Sequence, residues 1–317
     1  MLSFKILTSV KTKTLAAVVA LFSLAILHFL AFFNVDARAD EGEKNVESKW
    51  VRVRTENGAP VAFETSVARF TGQYVGDDGT SRDVVVDLIG AIHIADREYY
   101  ETLNERFKEY DVVVFELVSD SDEVPSKEEI ENENREISLN PLNIIPLFQQ
   151  VSAKALNLTY QMNGIDYGAP NLRRGDCGTL ELIAQTIANG DVVNFFISSY
   201  VSSALDMEAG VGEGIALALV CSSNKRLAAR RLFARELEAS EKEDLAKEEL
   251  GRENAIIHFR NRKAIDVARR ELDAGRERVG IFFGAGHMPH LAKLLETEFG
   301  LTSSGDVDWI SAWDLTK

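Results

Sequence analysis

Two short segments of this chain repeat one arrangement of glycine and histidine after an apolar run. Gly90 is followed three residues later by His93, and Gly284 is followed three residues later by His287. Each apolar run has the composition of a buried strand, and a helical pattern follows each histidine. Glycine lets the chain turn tightly and lets another group come close. The spacing therefore predicts that each histidine projects from the carboxyl end of a strand, where open α/β sheets place their ligands.

Glu116 ends a third apolar run, which begins at Val112. An unpaired carboxylate at such a place would be costly, so this residue needs a partner. If the three strands are neighbours, His93, Glu116 and His287 meet at one edge of the sheet. Two imidazoles and one carboxylate form a common ligand set for catalytic zinc, with the fourth position open to water. Manganese, iron and cobalt accept the same ligands, so the pattern predicts a divalent metal ion without identifying it.

Other roles for these side chains stay open at the level of sequence. A histidine at a strand end more often bonds a backbone carbonyl group than a metal, and Glu116 has Arg260 or Arg262 as alternative ion-pair partners. His258 lies on a charged helix and is predicted to be a surface residue. His290 is a candidate for the rim of the site, with plain exposure to solvent as its alternative. The other candidates for the rim are Gly90, Gly284 and Asn261.

Hydrophobic periodicity predicts the elements that must position these residues. The predicted strands are 50–54, 61–68, 84–89, 111–118, 279–283 and 307–313. The turn Asn57–Pro60 separates the first two. A helix over about 97–109, capped by Asp96, joins the third and fourth strands into a βαβ unit, so these two strands should be parallel. Pro289 has the position of a proline in the first helical turn, and the helix continues over 290–299.

The segment between the two G-x-x-H motifs is predicted to be a largely helical insertion. Residues 119–138 are strongly acidic and indicate a surface loop or a short solvated helix. Helical patterns dominate from 141 to 221, where Asp176 is predicted to cap a helix, and again over 225–274. The predicted fold class is therefore α/β, with a mixed β-sheet that is antiparallel in its N-terminal part and flanked by helices.

The N-terminal residues have the pattern of an export signal. Lysines precede an apolar run from Leu15 to Phe33, and the triplet Ala37-Arg38-Ala39 suits signal-peptidase cleavage before Asp40. The run is also nearly long enough to span a bilayer, so the alternative is a retained membrane anchor. Both versions place the body of the protein outside the cytoplasm, in the periplasm or the extracellular space. The predicted organisation is a signal peptide or anchor over 1–39, a polar tether over 40–48 and one α/β domain over 49–317.

Composition limits the class of partner. The formal net charge is −15, which argues against nucleic acid, because binding phosphate groups requires a surplus of cations. The sequence instead indicates a peptide or small-molecule substrate. Cys177 and Cys221 are compatible with one disulfide bond or with two buried thiols, and they carry no prediction of function.

The paired motifs resemble those of the TraB/PrgY, GumN and Tiki group of proteins. The closest segments are GAIHIADREYYETLNERFKEYDVVVFELV at 90–118 and GIFFGAGHMPHLAKLLETEFGL at 280–301. Arg260-Asn261 is similar to the Glu-Arg-Asn element before the family's second motif, although Phe259 stands where the family has an acidic residue. The segment IDYGAPNLRRGD at 165–176 and the terminal WISAWDL resemble an exported bacterial branch of the group. The resemblance implies a mixed α/β fold and, for the Tiki branch, metal-dependent proteolysis at the two motif histidines and the glutamate.

The sequence therefore predicts a metal-dependent hydrolase of peptide or amide bonds that acts outside the cytoplasm. His93, Glu116 and His287 would hold the ion, with zinc, manganese or cobalt as candidates, and Glu116 would otherwise act as the general base. Arg260 would stabilise the oxyanion or bind a substrate carboxylate. Two alternatives stay open. One is a binding protein that captures a peptide or small ligand in the same cleft, and the other is a metal-independent, esterase-like enzyme that uses histidine and glutamate as acid and base.

Overall fold

A mixed seven-stranded β-sheet forms the centre of the described chain. This computed structural model describes residues 48–121, 144–188, 224–249 and 255–317. The strand order is β1-β2-β3-β8-β5-β7, and β9 pairs with β2; a separate small sheet joins β4 to β6. The strands are β1 Val51–Glu56, β2 Ala59–Val75, β3 Ser81–Ala91, β4 Ile94–Ala95, β5 Val112–Phe115, β6 Thr159–Tyr160, β7 Leu172–Arg174, β8 Arg278–Gly284 and β9 Thr302–Asp314.

The N-terminal part of the sheet is antiparallel, as predicted. Strands β1 and β2 form a hairpin whose two turn residues, Asn57 and Gly58, have φ values of 50° and 79°. Asparagine followed by glycine tolerates this left-handed conformation, which matches the twist of a two-residue hairpin. Strand β2 extends to Val75, well past the predicted end at Ala68, because it pairs along its length with β1, β3 and β9.

The other part of the sheet is parallel and carries the strands of the two motifs. Strand β8 lies between β3 and β5 and is parallel to both, so the strands of the predicted βαβ unit are parallel to each other. Ala91 pairs with Gly284, and Phe115 pairs with Phe282 on β8 and with Arg174 on β7. The carboxyl ends of these four strands therefore lie at one edge of the sheet.

Helices cover both faces of the sheet, which confirms the α/β fold class. Alternate residues of the central strands point to opposite faces: Leu88 and Ile281 pack with the helices that flank the second motif, whereas Ile89 and Phe282 pack with the helix after the first motif. The helices are α1 Arg97–Phe107, α2 Ile144–Leu156, α3 Gln161–Gly164, α4 Thr179–Ala188, α5 Lys225–Glu249, α6 Ala255–Asp273 and α7 Met288–Glu298, with a 3₁₀ turn at Ala285–His287 before α7. Pro289 lies in the first turn of α7, as predicted.

Of the two predicted helix caps, Asp96 has the predicted position and Asp176 does not. Asp96 is the N-cap residue of α1, but its side chain makes no capping hydrogen bond; its carboxylate accepts a hydrogen bond from the Asp314 backbone (2.6 Å) and pairs with Arg230. Asp176 does not cap α4, because its carboxylate binds Arg260. In its place, Asp120 accepts a hydrogen bond from the backbone of Leu180 in the first turn of α4. Both carboxylates bind arginines from distant helices, which local sequence does not indicate.

Several sequence predictions fall on residues outside the described ranges. These are the leader and most of the tether, most of the acidic segment 119–138, and Cys221. Within the described part of the insertion, strands β6 and β7 interrupt the predicted helical pattern. Among the helices of the described ranges, none is long and apolar enough to cross a bilayer.

Candidate functional site

Polar side chains follow all four parallel strands at the edge where their carboxyl ends meet. Each of these residues lies within three positions of the strand that precedes it: His93, Glu116, Asp176 and His287. The strand order brings the two motif histidines and the glutamate to neighbouring strands, which is the condition that the sequence analysis set. Ligands of open α/β sheets bind at such an edge.

Glu116 lies at the centre of the cluster and is largely buried. Its Oε1 accepts a hydrogen bond from Arg260 Nη2 at 2.6 Å, and its Oε2 accepts one from the backbone amide of Gly284 at 2.7 Å. The Nε2 atom of His287 lies 3.6 Å from Oε1. Burial acts to raise the pKa of Glu116, but the charge of Arg260 outweighs it and, together with the nearby His287, holds the pKa well below its usual range. Glu116 is therefore ionised at neutral pH.

The glycine of the second motif lets the Glu116 carboxylate approach the backbone without a close Cβ contact. A Cβ atom on Gly284 would lie 3.3 Å from Glu116 Oε2, closer than most side-chain contacts in proteins. A Cβ atom on Gly286, two residues later, would meet no atom within 4 Å. In the first motif, a Cβ atom on Gly90 would lie 3.3 Å from the carbonyl oxygen of Ser66 on the neighbouring strand. Each G-x-x-H glycine thus permits close contact with an adjacent group.

Arg260, on α6, links two carboxylates. Its Nε and Nη2 atoms donate to the two oxygens of Asp176 at 3.0 and 2.6 Å, while Nη2 also reaches Glu116. The Asp176 side chain is completely buried. Burial acts to lower the pKa of Arg260, but Glu116 and Asp176 raise it above its usual value. The two-pronged contact with Asp176 fixes the guanidinium plane beside Glu116.

Asn261 determines which nitrogen of His287 faces Glu116. The asparagine is fully buried, and its Oδ1 accepts a hydrogen bond from His287 Nδ1 at 2.6 Å. Because an amide oxygen only accepts, Nδ1 carries the proton and Nε2 of the neutral ring has a free lone pair. That lone pair points toward the carboxylate and toward Arg260 Nη1, which lies 3.4 Å away.

His93 is the exposed member of the cluster. Its Nδ1 lies 3.2 Å from Oε1 of Gln161, whose amide nitrogen donates to the hydroxyl of Tyr167 at 2.9 Å. His93 is close enough to Glu116 for its charge to contribute to lowering the pKa of that carboxyl group. With Nδ1 on an amide oxygen, His93 also leaves Nε2 free, which is the arrangement seen in histidines that bind metals.

His258 and His290 depart from the positions predicted for them. Their rings are stacked, with centroids 3.5 Å apart and planes inclined by 9°. His290 is buried rather than exposed to solvent, and its Nδ1 contacts the amide nitrogen of Asn261 at 3.1 Å. Burial and the neighbouring His258 ring lower the pKa of His290 to about 4. His258 is half-buried against this ring, and so is less exposed than the surface position predicted for it.

The side chains of the cluster have the chemistry of metal ligands, but they are not arranged around one position that an ion could occupy. Two tetrahedral ligands of one zinc ion, at bond lengths of about 2.0–2.1 Å, lie roughly 3.3–3.4 Å apart, and His287 Nε2 and Glu116 Oε1 come close to this at 3.6 Å. However, Arg260 already contacts both atoms. Within the described ranges, no three histidine, cysteine, aspartate or glutamate side chains are gathered closely enough to form a ready metal site. Binding of a metal would therefore require His93 to move inward and Arg260 to release Glu116.

The structure brings Glu116, His287, Arg260 and Asn261 into direct contact and places His93 at the margin. Glu116 pairs with Arg260 and also faces His287. The geometry is therefore compatible with both roles considered for Glu116, as an ion-pair partner and as a residue of the reactive site. Arg262, its other predicted partner, pairs with Glu298. Asp176, Gln161 and Tyr167 also belong to the cluster, and their roles there were not predicted from the sequence. Asp176 follows β7 as Glu116 follows β5, so a predicted strand at 172–174 would have exposed it.

The site contains a buried thiol that takes no part in the cluster. Cys177 follows Asp176, and burial raises the pKa of its thiol to about 12, which makes it a poor nucleophile.

No family model, curated protein or solved structure matches this chain. The resemblance to the TraB, GumN and Tiki group rests on the motifs and stays a prediction.

Proposed function

We propose that the chain hydrolyses a peptide or amide bond at the Glu116–His287 pair, with a divalent metal ion held by His93, Glu116 and His287. The observation that supports this most is the 3.6 Å approach of His287 Nε2 to an ionised carboxylate. Asn261 holds the proton on Nδ1, so the basic nitrogen faces the carboxylate. A metal ion there would supply a water of lowered pKa and a polarised substrate carbonyl group.

The protein's own side chains would divide the work as follows. Glu116 is ionised throughout the neutral range, so it is available to orient water or to accept a proton. His287 would bind the ion through Nε2, the nitrogen that Asn261 keeps free of a proton. Arg260 provides a fixed positive charge for the oxyanion that forms at the attacked carbonyl group, because Asp176 holds the guanidinium in place.

A metal-independent hydrolase of the same cleft is a second candidate, favoured by the position of Arg260. The guanidinium contacts both Glu116 Oε1 and His287 Nε2, the two atoms that an ion would share. In this version His287 is the general base, and Glu116 stabilises its protonated form. Esters, which are easier to cleave than amides, would then be the preferred substrates.

Metal analysis combined with Glu116→Gln tests the proposal. The purified chain is stripped with a chelator, reloaded separately with zinc, manganese or cobalt, and assayed on peptide and ester libraries. We expect a metal-dependent peptidase or amidase activity that Glu116→Gln lowers by about 10²- to 10⁴-fold, since that is the usual contribution of a positioned acid or base. His93→Ala should reduce bound metal and turnover together. Glu181→Gln, an exposed carboxylate paired with Lys263, is the matched control and should change neither.

Two outcomes would contradict the proposal. Activity that persists without metal, and in His93→Ala, would establish the metal-independent enzyme. If the unaltered protein binds no metal and hydrolyses nothing, while Glu116→Gln melts far below it, Glu116 is a structural partner of Arg260. The cleft would then be better explained as the binding site of a sequestering protein.

A further inference from the structure

Asn261 uses both atoms of one buried amide to contact two histidines. It comes from α6 and contacts two histidines of the segment that follows β8. Its Oδ1 accepts from His287 Nδ1, while its Nδ2 lies 3.1 Å from the backbone oxygen of His287 and 3.1 Å from His290 Nδ1. The side chain is fully buried, so water does not compete for these contacts. The amide is thus fixed by three groups at once.

The backbone oxygen of His287 decides how the amide is oriented. A carbonyl oxygen only accepts hydrogen bonds, so the atom of Asn261 beside it must be the amide nitrogen. Rotating the amide by half a turn would place two oxygens 3.1 Å apart in a buried environment, which is costly. Oδ1 must therefore face His287 Nδ1, and Nδ2 must face His290 Nδ1.

From this orientation we infer that Asn261 is a positioning residue, which holds His287 and His290 in opposite tautomers. His287 must carry its proton on Nδ1 to donate to Oδ1, and this leaves Nε2 bare. His290 must present a bare Nδ1 to accept from Nδ2, so its proton lies on Nε2. The inference deepens the proposed function, because bare Nε2 on His287 is the form that can accept a proton or bind a metal beside Glu116.

The packing around His290 supports the same assignment. His258 and Asn261 lie one helical turn apart on α6, and His287 and His290 are likewise three residues apart, so the two pairs interlock. The parallel stack of His258 on His290 disfavours a charge on His290, as does its burial. A neutral His290 with a fixed ring plane is a suitable acceptor for the Asn261 amide. His290 therefore acts on the site through Asn261 and not by touching a substrate.

Nitrogen NMR of the unaltered full-length protein tests the inference directly. Uniformly ¹⁵N-labelled protein is stripped of metal and examined at pH 8, with the histidine signals assigned by single His→Gln variants. We expect His287 to be protonated at Nδ1 only and His290 at Nε2 only. A proton on Nε2 of His287, in either the neutral or the cationic ring, would overturn the inference, and so would the same tautomer in both rings.

Two substitutions of Asn261 separate positioning from a merely structural role. Asn261→Asp retains an oxygen for His287 but replaces the donor, so His287 should keep its tautomer while His290 switches its proton to Nδ1. In Asn261→Ala, His287 should no longer be held in one tautomer. Metal affinity should fall by about 10- to 100-fold, as it usually does when the hydrogen-bond partner of a metal ligand is removed. Asn171→Ala, which removes hydrogen bonds to the backbone of Phe107 and Tyr110, is the control for lost stability. It should leave both tautomers unchanged.

The results distinguish this inference from the proposed function. Opposite tautomers that respond to Asn261→Asp as described, in a protein that neither binds metal nor hydrolyses anything, would leave the inference standing and refute the function. Unchanged His290 in Asn261→Asp would refute the positioning role whatever the activity. If Asn261→Ala does not fold, the unaltered protein and Asn261→Asp still decide the question.

Discussion

At the level of single residues, the central feature of the cluster is one guanidinium group that binds two buried carboxylates. Arg260 balances Glu116 and Asp176, which would otherwise repel each other in a region with little water. Its Nη atoms also lie beside the nitrogen of His287 that would bind an ion. Arg260 and a divalent cation therefore compete for the same atoms of Glu116 and His287.

We predict that Arg260→Gln makes the protein less stable but more responsive to metal. Removing one member of a buried ion pair costs about 3–5 kcal/mol, because the partner charges are left uncompensated. A divalent ion would replace the lost charge, so the metal-induced rise in melting temperature should be larger in Arg260→Gln than in the unaltered protein. Thermal unfolding with and without zinc, manganese or cobalt measures this. Arg262→Gln is the control, since that residue forms an exposed pair with Glu298 that contributes little.

An equal metal effect in the unaltered protein and in Arg260→Gln would show that Arg260 does not occupy the position of an ion. The metal-independent mechanism would then lose the observation that favours it. The same experiment reports on both candidate functions.

At the level of elements, the end of β8 brings the backbone itself into the site. The amide of Gly284 donates to Glu116 Oε2, and the chain then forms the 3₁₀ turn that carries His287. Any residue except proline could donate this hydrogen bond, but only glycine leaves the space beside Glu116 Oε2 free of a Cβ atom. The strand thus positions the carboxylate as well as the histidine.

Substitution of the two glycines that flank Ala285 should separate these contributions. Gly284→Ala places a methyl group 3.3 Å from Glu116 Oε2, so either the carboxylate or the strand end must shift by a few tenths of an ångström. We expect a loss of hydrolytic activity or metal affinity, by at least about tenfold if positioning matters as it does in other active sites. Gly286→Ala, whose Cβ meets nothing within 4 Å, should be close to the unaltered protein in both assays. Equal effects of the two substitutions would contradict the steric role of Gly284.

Helix α5 holds another buried carboxylate, which is not part of the cluster around Glu116. Glu241 is 7% exposed, and contacts with Ser48 and the Trp50 backbone only partly offset the effect of its burial. Burial raises the pKa of its carboxyl group to about 7. The folded protein therefore binds this proton more tightly than the unfolded chain does, and the residue opposes folding once the pH is high enough to ionise it.

We predict that Glu241→Gln stabilises the protein at alkaline pH. The destabilising contribution of Glu241 grows as the pH rises from about 4.5, the ordinary value, and is complete above about 7. At pH 8 the free energy of unfolding should increase by roughly 2–3 kcal/mol in the variant, and the difference should vanish near pH 4. Urea unfolding at several pH values measures it, with exposed Glu105→Gln as the control. A constant difference at all pH values would show that the side-chain shape, and not its charge, is responsible.

At the level of the whole molecule, topology assembles the site from distant parts of the chain. Strand β8, near the C-terminus, inserts between β3 and β5, and β7 from the insertion completes the parallel edge. Helix α6 then delivers Arg260 and Asn261 to that edge. The site therefore depends on the complete parallel half of the sheet.

The predicted export signal can be tested on the whole protein by determining where the mature chain begins. If the lysines, the apolar run and Ala37-Arg38-Ala39 direct export and cleavage, the mature chain should begin at Asp40. Mass spectrometry of the protein from its native host measures this directly. An intact N-terminus in the membrane fraction would instead establish an anchor. A chain with an intact leader in the cytoplasm would refute export altogether.

The sequence by itself determined the elements with strong local signals. Asn57-Gly58 predicted the hairpin turn, Pro289 the start of a helix, and apolar runs the central strands, because these patterns depend on neighbours along the chain. The same logic predicted that His93, Glu116 and His287 share one edge, since residues that follow parallel strands gather there. The mixed sheet and its flanking helices followed from these elements.

Only the tertiary structure decided which partners those residues meet. Asp176 looked like a helix cap and instead binds Arg260 across 84 positions of sequence. Asn261 and His290 were candidates for the rim, but no local signal indicates their contact with each other or the stacking of His258 on His290, because helices α6 and α7 must first pack together before these side chains touch. Local sequence places a side chain at the end of an element. Its hydrogen-bond partners are fixed by the long-range pairing of strands and helices, which brings together groups that no sequence window contains.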